Sequence, residues 1–124
     1  MTVQENSKWP KLPKAFKKKW TTALRSGKFK QTQLQLLSVV KDSGGKERKR
    51  GYCCLGVAAA ISGYGDKKIR RSSLLSNAKD WRKVPAPLRQ KKSWGGNPLT
   101  MRLSNMNDKG VSFKKIADWI DKNL

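Results

Sequence analysis

The sequence predicts an α+β, mainly helical, compact single domain with a small β-hairpin, a short buried helix and a C-terminal αα-hairpin. Three stretches carry that prediction. Gly51 to Gly63, G-Y-C-C-L-G-V-A-A-A-I-S-G, lies in the longest uncharged run of a chain that is 30% charged and formally +21. Charges that dense must stay at the surface, so this run is the apolar anchor for the other elements. Gln31, Gln33 and Gln35 alternate with Thr32, Leu34 and Leu36 ahead of Gly44-Gly45, the pattern of a strand running into a turn. From Asn97 to Leu124 two helical periods are bounded by start and stop signals.

In chain order, residues 1–10 read as a flexible lead-in with Trp9-Pro10 as an anchor, and 11–124 as one small domain. Pro13 suits the first turn of a helix reaching about Ser26, with Gly27 beyond its end. At 100° per residue Phe16, Trp20, Ala23 and Leu24 share one arc, and Lys14, Lys17, Lys18 and Arg25 share the opposite one. No acidic residue occurs between Ser7 and Val40, so these cations have no local counter-charge.

The strand read over 29–40 leads into a basic loop, K-D-S-G-G-K-E-R-K-R, that carries Arg48, Lys49 and Arg50. Tyr52 to Leu55 is expected to return as the second strand, and beyond Gly56 the string V-A-A-A-I-S favours a buried helix ending at Gly63. Residues 64–98 hold ten Lys/Arg against two acids. Ile69, Leu74, Leu75, Trp81, Val84 and Leu88 are isolated apolar pegs, and Pro85 and Pro87 forbid a long helix there. The pegs are expected to dock on the core and leave Arg70-Arg71, Arg82-Lys83 and Lys91-Lys92 outward. Asn97-Pro98 then starts a helix with Leu99, Leu103 and Met106 on one face. Gly110 breaks it, and Ser112 caps a second helix striped by Phe113, Ile116, Ala117, Ile120 and Leu124.

Composition narrows the chemistry. There is no histidine, and eight carboxylates are scattered among 29 cations, so nothing nominates a general base or an enzyme. Cys53 and Cys54 are adjacent, which suits neither a mutual disulfide nor a four-ligand zinc site; they read as buried reduced thiols. No metal or cofactor is expected. No apolar run approaches the roughly 18 residues of a membrane span, and no secretory signal is visible, so a cytoplasmic protein is expected. Gly44-Gly45-Lys46 lacks the spacing of a phosphate-binding P-loop.

Three blocks, W-T-T-A-L-R-S-G-K-F-K-Q at 20–31, G-Y-C-C-L-G-V at 51–57 and L-S-N-M-N-D-K-G-V-S-F-K-K-I-A-D-W-I at 103–120, resemble a group of small, mostly uncharacterised proteins encoded by bacteriophages and prophages. The resemblance implies a phage gene acting inside a bacterial host cell or packaged in a virion. It implies no activity and no catalytic residues.

The expected partner is nucleic acid, DNA or RNA, held through its phosphates and largely without sequence preference. The expected contacts are Lys14, Lys17, Lys18, Arg25, Arg48, Lys49, Arg50, Arg70, Arg71, Arg82, Lys83, Lys91 and Lys92, with Trp94 and Trp119 as possible stacking platforms. The same cations also suit two alternatives: an effector gripping an acidic surface of a host protein and modulating it, or a virion or packaging protein. S-F-K-K-I-A evokes a helix-turn-helix, but Asp118 and Asp121 would set carboxylates against phosphates there.

Overall fold

The computed structural model describes residues 9–33, 36–41, 43–70, 81–89 and 98–124, with positions 40, 41 and 47–50 described by backbone alone. The elements are α1 (Lys14–Arg25), β1 (Leu37–Lys41), β2 (Glu47–Tyr52), α2 (Cys54–Ile61), α3 (Asp66–Arg70), a 3-10 turn (Ala86–Leu88), α4 (Pro98–Asp108) and α5 (Phe113–Asn123). This is the mainly helical α+β domain with one hairpin that the sequence predicts.

Pro13 stands at the N-cap of α1 and Gly27 takes a positive φ of 79° just past its end. The predicted apolar arc faces inward: Trp20 and Leu24 are buried, and Phe16 and Ala23 pack partly against the core. Thr21 is also buried, which the chain tolerates because its hydroxyl donates to the Lys17 carbonyl at 2.9 Å.

The hairpin forms, but its strands are shifted from the expected ones. β1 pairs antiparallel with β2, Leu37 opposite Tyr52 and Val39 opposite Arg50, with a bulge between Val40 and Lys41. The basic stretch Glu47–Tyr52 is therefore strand rather than loop. Of the residues before Leu36 that are described, Gln31 makes a single parallel bridge to Tyr52 and no longer ladder follows. Leu36 and Leu37 are consecutive and both buried, which breaks the period of two that the glutamines suggested.

Cys53 ends the strand by becoming the N-cap of α2, its sulfur accepting the Gly56 N–H at 3.4 Å. The helix thus starts at Cys54, two residues before Gly56, and the uncharged run is mostly helix. Its residues from Cys54 through Ala59 are all buried, and it packs against α1, α3, α4 and β2, so the apolar anchor is the centre of the molecule. Gly56 is required by close approach: a Cβ there would collide with the backbone carbonyl of Leu36.

Four of the pegs dock as expected, since Ile69, Trp81, Val84 and Leu88 are buried. Leu74 and Leu75 lie outside the described residues. Pro85 caps the 3-10 turn that seats Leu88. In the C-terminal pair, Gly110 adopts φ 87° and the Ser112 hydroxyl accepts the Lys115 N–H at 3.3 Å. All five stripe residues of α5 are buried, and α5 packs mainly along α1 rather than α4. The Leu12 N–H, donating to the Leu124 carbonyl at 3.2 Å, ties the two chain ends of that contact together. Among the described residues no helix is long and apolar enough to cross a membrane.

Candidate nucleic-acid interface

Among the described residues, the predicted cations lie on α1, on β2 and α3, and at 82–83. The first is the outer side of α1. Lys14 and Lys18 are exposed and Lys17 is half-buried beside them. Among the described residues, no carboxylate lies within ion-pair distance of any of these three.

Arg25 belongs to the same arc but differs in its surroundings. Its guanidinium donates to Asp118 at 2.8 Å and to Asp121 at 2.7 Å, one carboxylate from each of two successive turns of α5. Its hydrogen bonds to Asp118 first, then to Asp121, raise its pKa further above the ordinary arginine value. Arg25 is thus a tie between α1 and α5 whose charge is already matched. The two aspartates that the sequence set against a recognition-helix reading serve this tie.

The second group is built on the hairpin and α3. Arg48, Lys49 and Arg50 occupy β2, Arg50 opposite Val39 and Lys49 opposite Val40. α3 packs beside β1, and a cleft of about 250 Å³ between them is lined by Leu37, Val39, Asp66, Lys67 and Arg70. The Tyr52 hydroxyl donates to Asp66 at 2.8 Å, which pins the base of the hairpin to the start of α3. Arg70, exposed, therefore stands next to the strand pair that carries Arg48, Lys49 and Arg50.

The segment at 81–83 is joined to Tyr64 and α3 through aromatic packing. Trp81 meets Tyr64 edge-on at 4.9 Å between centroids. The Lys68 ammonium lies 4.7 Å from the Tyr64 ring centre and 4.9 Å from that of Trp81, and Lys83 lies 5.8 Å from Tyr64. The Lys83 backbone N–H also donates to the Tyr64 hydroxyl at 3.0 Å. Arg82 and Lys83 are exposed there. Lys67 and Arg70 thus line the cleft beside β1, while Lys68 and Lys83 gather at the Tyr64–Trp81 pair. Lys67 and Lys68 were not among the expected contacts; the spacing of Tyr64 and Lys68, four residues apart, was the signal for one of them.

Arg71, Lys91, Lys92 and Trp94 lie outside the described residues. Trp119 is half-buried, with Trp9 edge-on at 5.5 Å and the Arg102 guanidinium 5.8 Å from its ring centre. It takes part in packing against the core. Among the described residues no cluster of three His, Cys, Asp or Glu could hold a metal ion. No protein-family model, curated protein or solved structure matches the chain.

Proposed function

We propose that this chain is a phage-encoded basic protein that binds nucleic acid through its phosphates, largely independently of sequence. The observation that carries this reading is the α1 surface: Lys14, Lys17 and Lys18 have no carboxylate at ion-pair distance among the described residues, in a chain of net charge +21. Self-repulsion on that scale is relieved by a polyanion, and counterion release from the polyanion supplies affinity without base contacts. The role requires no catalytic step and no cofactor. It acts in the bacterial host cell.

The test is a salt titration of fluorescent DNA and RNA by anisotropy. Log affinity is expected to fall linearly with log salt, with a slope of about −0.9 per phosphate neutralised on duplex DNA, and similarly for unrelated sequences. Absence of binding at about 0.1 M salt overturns the reading. Recovery of one acidic bacterial protein from nuclease-treated lysate, with no nucleic acid bound, would assign the cations to a protein surface instead.

A further inference from the structure

We propose that strands β1 and β2, with α3 beside them, form a β-ribbon that enters the major groove of B-form duplex DNA. This rests on the polyanion reading and names its ligand. Among the described residues the sheet has two strands, and the turn residues Ser43, Gly44, Gly45 and Lys46 are all exposed. The major groove, about 12 Å wide, admits a two-stranded ribbon, whose strands run roughly 4.8 Å apart. Two-stranded ribbons twist more than wide sheets, and the bulge at Val40/Lys41 adds to that twist, as following a helical groove requires.

The base of the ribbon is firmly held. Leu37 and Tyr52, paired across it, are both buried, and Tyr52 is bonded to Asp66 of α3. Gly51 lies so close to Thr32 that a Cβ would sit 2.8 Å from that side chain. The exposed turn is therefore carried on a fixed stem. Residues 41–50 hold five cations against two acids. Lys67 and Arg70 of α3, together with Asp66, whose carboxylate accepts the Tyr52 hydroxyl, line the cleft at the stem, where the phosphates bordering an occupied groove would lie.

The aromatic packing and the groove dimensions disfavour the other nucleic acids. Single-strand binders need open aromatic faces, but the described rings are engaged with one another: Phe29 with Tyr52, Tyr64 with Trp81, Phe16 with Trp20 and Trp9 with Trp119. A-form RNA has a deep, narrow major groove that excludes such a ribbon.

The test uses the full chain, one 20-base-pair sequence as duplex DNA, single-stranded DNA and duplex RNA, and the Arg48→Gln/Lys49→Gln/Arg50→Gln variant. Duplex DNA should bind about tenfold or more tighter than the other two at equal salt, and the variant should lose about tenfold on it. On wild-type protein, dimethyl sulfate should show guanine N7, in the major groove, protected and adenine N3, in the minor groove, reactive. That footprint needs no variant, so a misfolded variant leaves the proposal testable. Duplex binding with N7 fully reactive overturns the ribbon while leaving phosphate binding intact. No binding to any of the three nucleic acids overturns both.

Discussion

The side-chain oxygen of Asn107 accepts the backbone N–H of Cys54 at 3.2 Å, joining the last turn of α4 to the first turn of α2. The Asn107 amide donates to the Thr32 carbonyl at 2.6 Å, and its oxygen also accepts from Gln31 at 3.1 Å. Gln31 in turn donates to the Val111 carbonyl at 2.7 Å, and the Cys54 carbonyl accepts the Trp20 indole N–H at 3.0 Å. Asn107 itself is fully buried. The three sequence blocks at 20–31, 51–57 and 103–120 thus meet at one polar hub. What those blocks share is a packing arrangement; the cations of the candidate interface lie mostly outside them.

Asn107→Leu tests that hub. It keeps the approximate volume but leaves the Cys54 N–H and the Thr32 carbonyl without their partner. Each unsatisfied buried group costs about 1–3 kcal/mol, so a total loss of about 2–6 kcal/mol is expected. Urea unfolding should show a lower midpoint at unchanged m-value. A loss below about 0.5 kcal/mol, the range of ordinary surface substitutions, would remove Asn107 from the hub.

Gly56→Ala tests the approach of α2 to Leu36 through the sign of its effect. In an open helix interior this change stabilises by about 1 kcal/mol. Here the new methyl meets a backbone carbonyl that cannot swing aside, so the protein should be destabilised by about 1–3 kcal/mol. A raised melting temperature would show that Leu36 does not lie against this glycine.

Much of this fold is legible in the sequence because several signals agree locally. Pro13 and Gly27 bound α1, Ser112 caps α5, and the stripe from Phe113 to Leu124 is fully buried. The hairpin was shifted in the reading because basic residues suggest a loop, whereas their pairing with Leu37–Lys41 is a tertiary fact. Asn107 was invisible for a related reason: an asparagine near a helix end ordinarily marks its stop, and only the approach of Cys54 and Thr32 makes it a core residue. At the candidate site, the α1 arc follows from helical periodicity. The placing of Arg70 beside β1, and the matching of Arg25 by two aspartates 93 and 96 positions away, depend on how the chain returns on itself.

The thiols give a pH dependence with a definite sign. Burial pushes Cys53 up to about 11 from 9.0 and Cys54 well above 9.0. The folded state therefore holds both protons where the unfolded chain releases them. Their contribution is complete below about pH 9 and is lost as pH rises through the interval from 9 to 11 and beyond for Cys54, with a slope approaching about −1.4 kcal/mol per pH unit for each thiol. Unfolding free energies at intervals up to pH 10.5 should fall less steeply in Cys54→Ala than in wild type, a comparison that cancels the lysines and tyrosines common to both. Equal slopes would place the thiol in water. Thiol labelling at neutral pH should correspondingly be slow in native protein and rapid in denaturant.

Lys17→Gln/Lys18→Gln tests the α1 surface. Removing two unmatched cations should make the slope of log affinity against log salt shallower by up to about 1.8 on duplex DNA. The loss should be similar on unrelated sequences, because phosphate contacts position a protein without reading bases. An unchanged slope in this double variant would move the contact away from α1.

The tie between Arg25 and α5 yields a prediction in the opposite direction. All three side chains are substantially exposed, Arg25 at 38% of its side-chain surface, Asp118 at 72% and Asp121 at 45%, so the stabilisation from the bridge is small, about 0.2–1 kcal/mol. Its larger effect is on the field of the α1 surface: two carboxylates offset the guanidinium and part of the charge of the lysines beside it. Asp118→Asn/Asp121→Asn should therefore leave the fold nearly as stable while strengthening nucleic-acid binding and steepening its salt dependence by up to about 0.9, one further phosphate. Arg25→Gln alone should change affinity less than Lys17→Gln/Lys18→Gln, since the charge it removes is already matched. Replacing Lys114 and Lys122, on the aspartate-bearing helix, should also matter less. The measurement is the same anisotropy titration on all four variants, with thermal melts to confirm folding. If the aspartate variant binds no better than wild type, α1 and its junction with α5 are not where the polyanion sits, and the hairpin region becomes the sole contact.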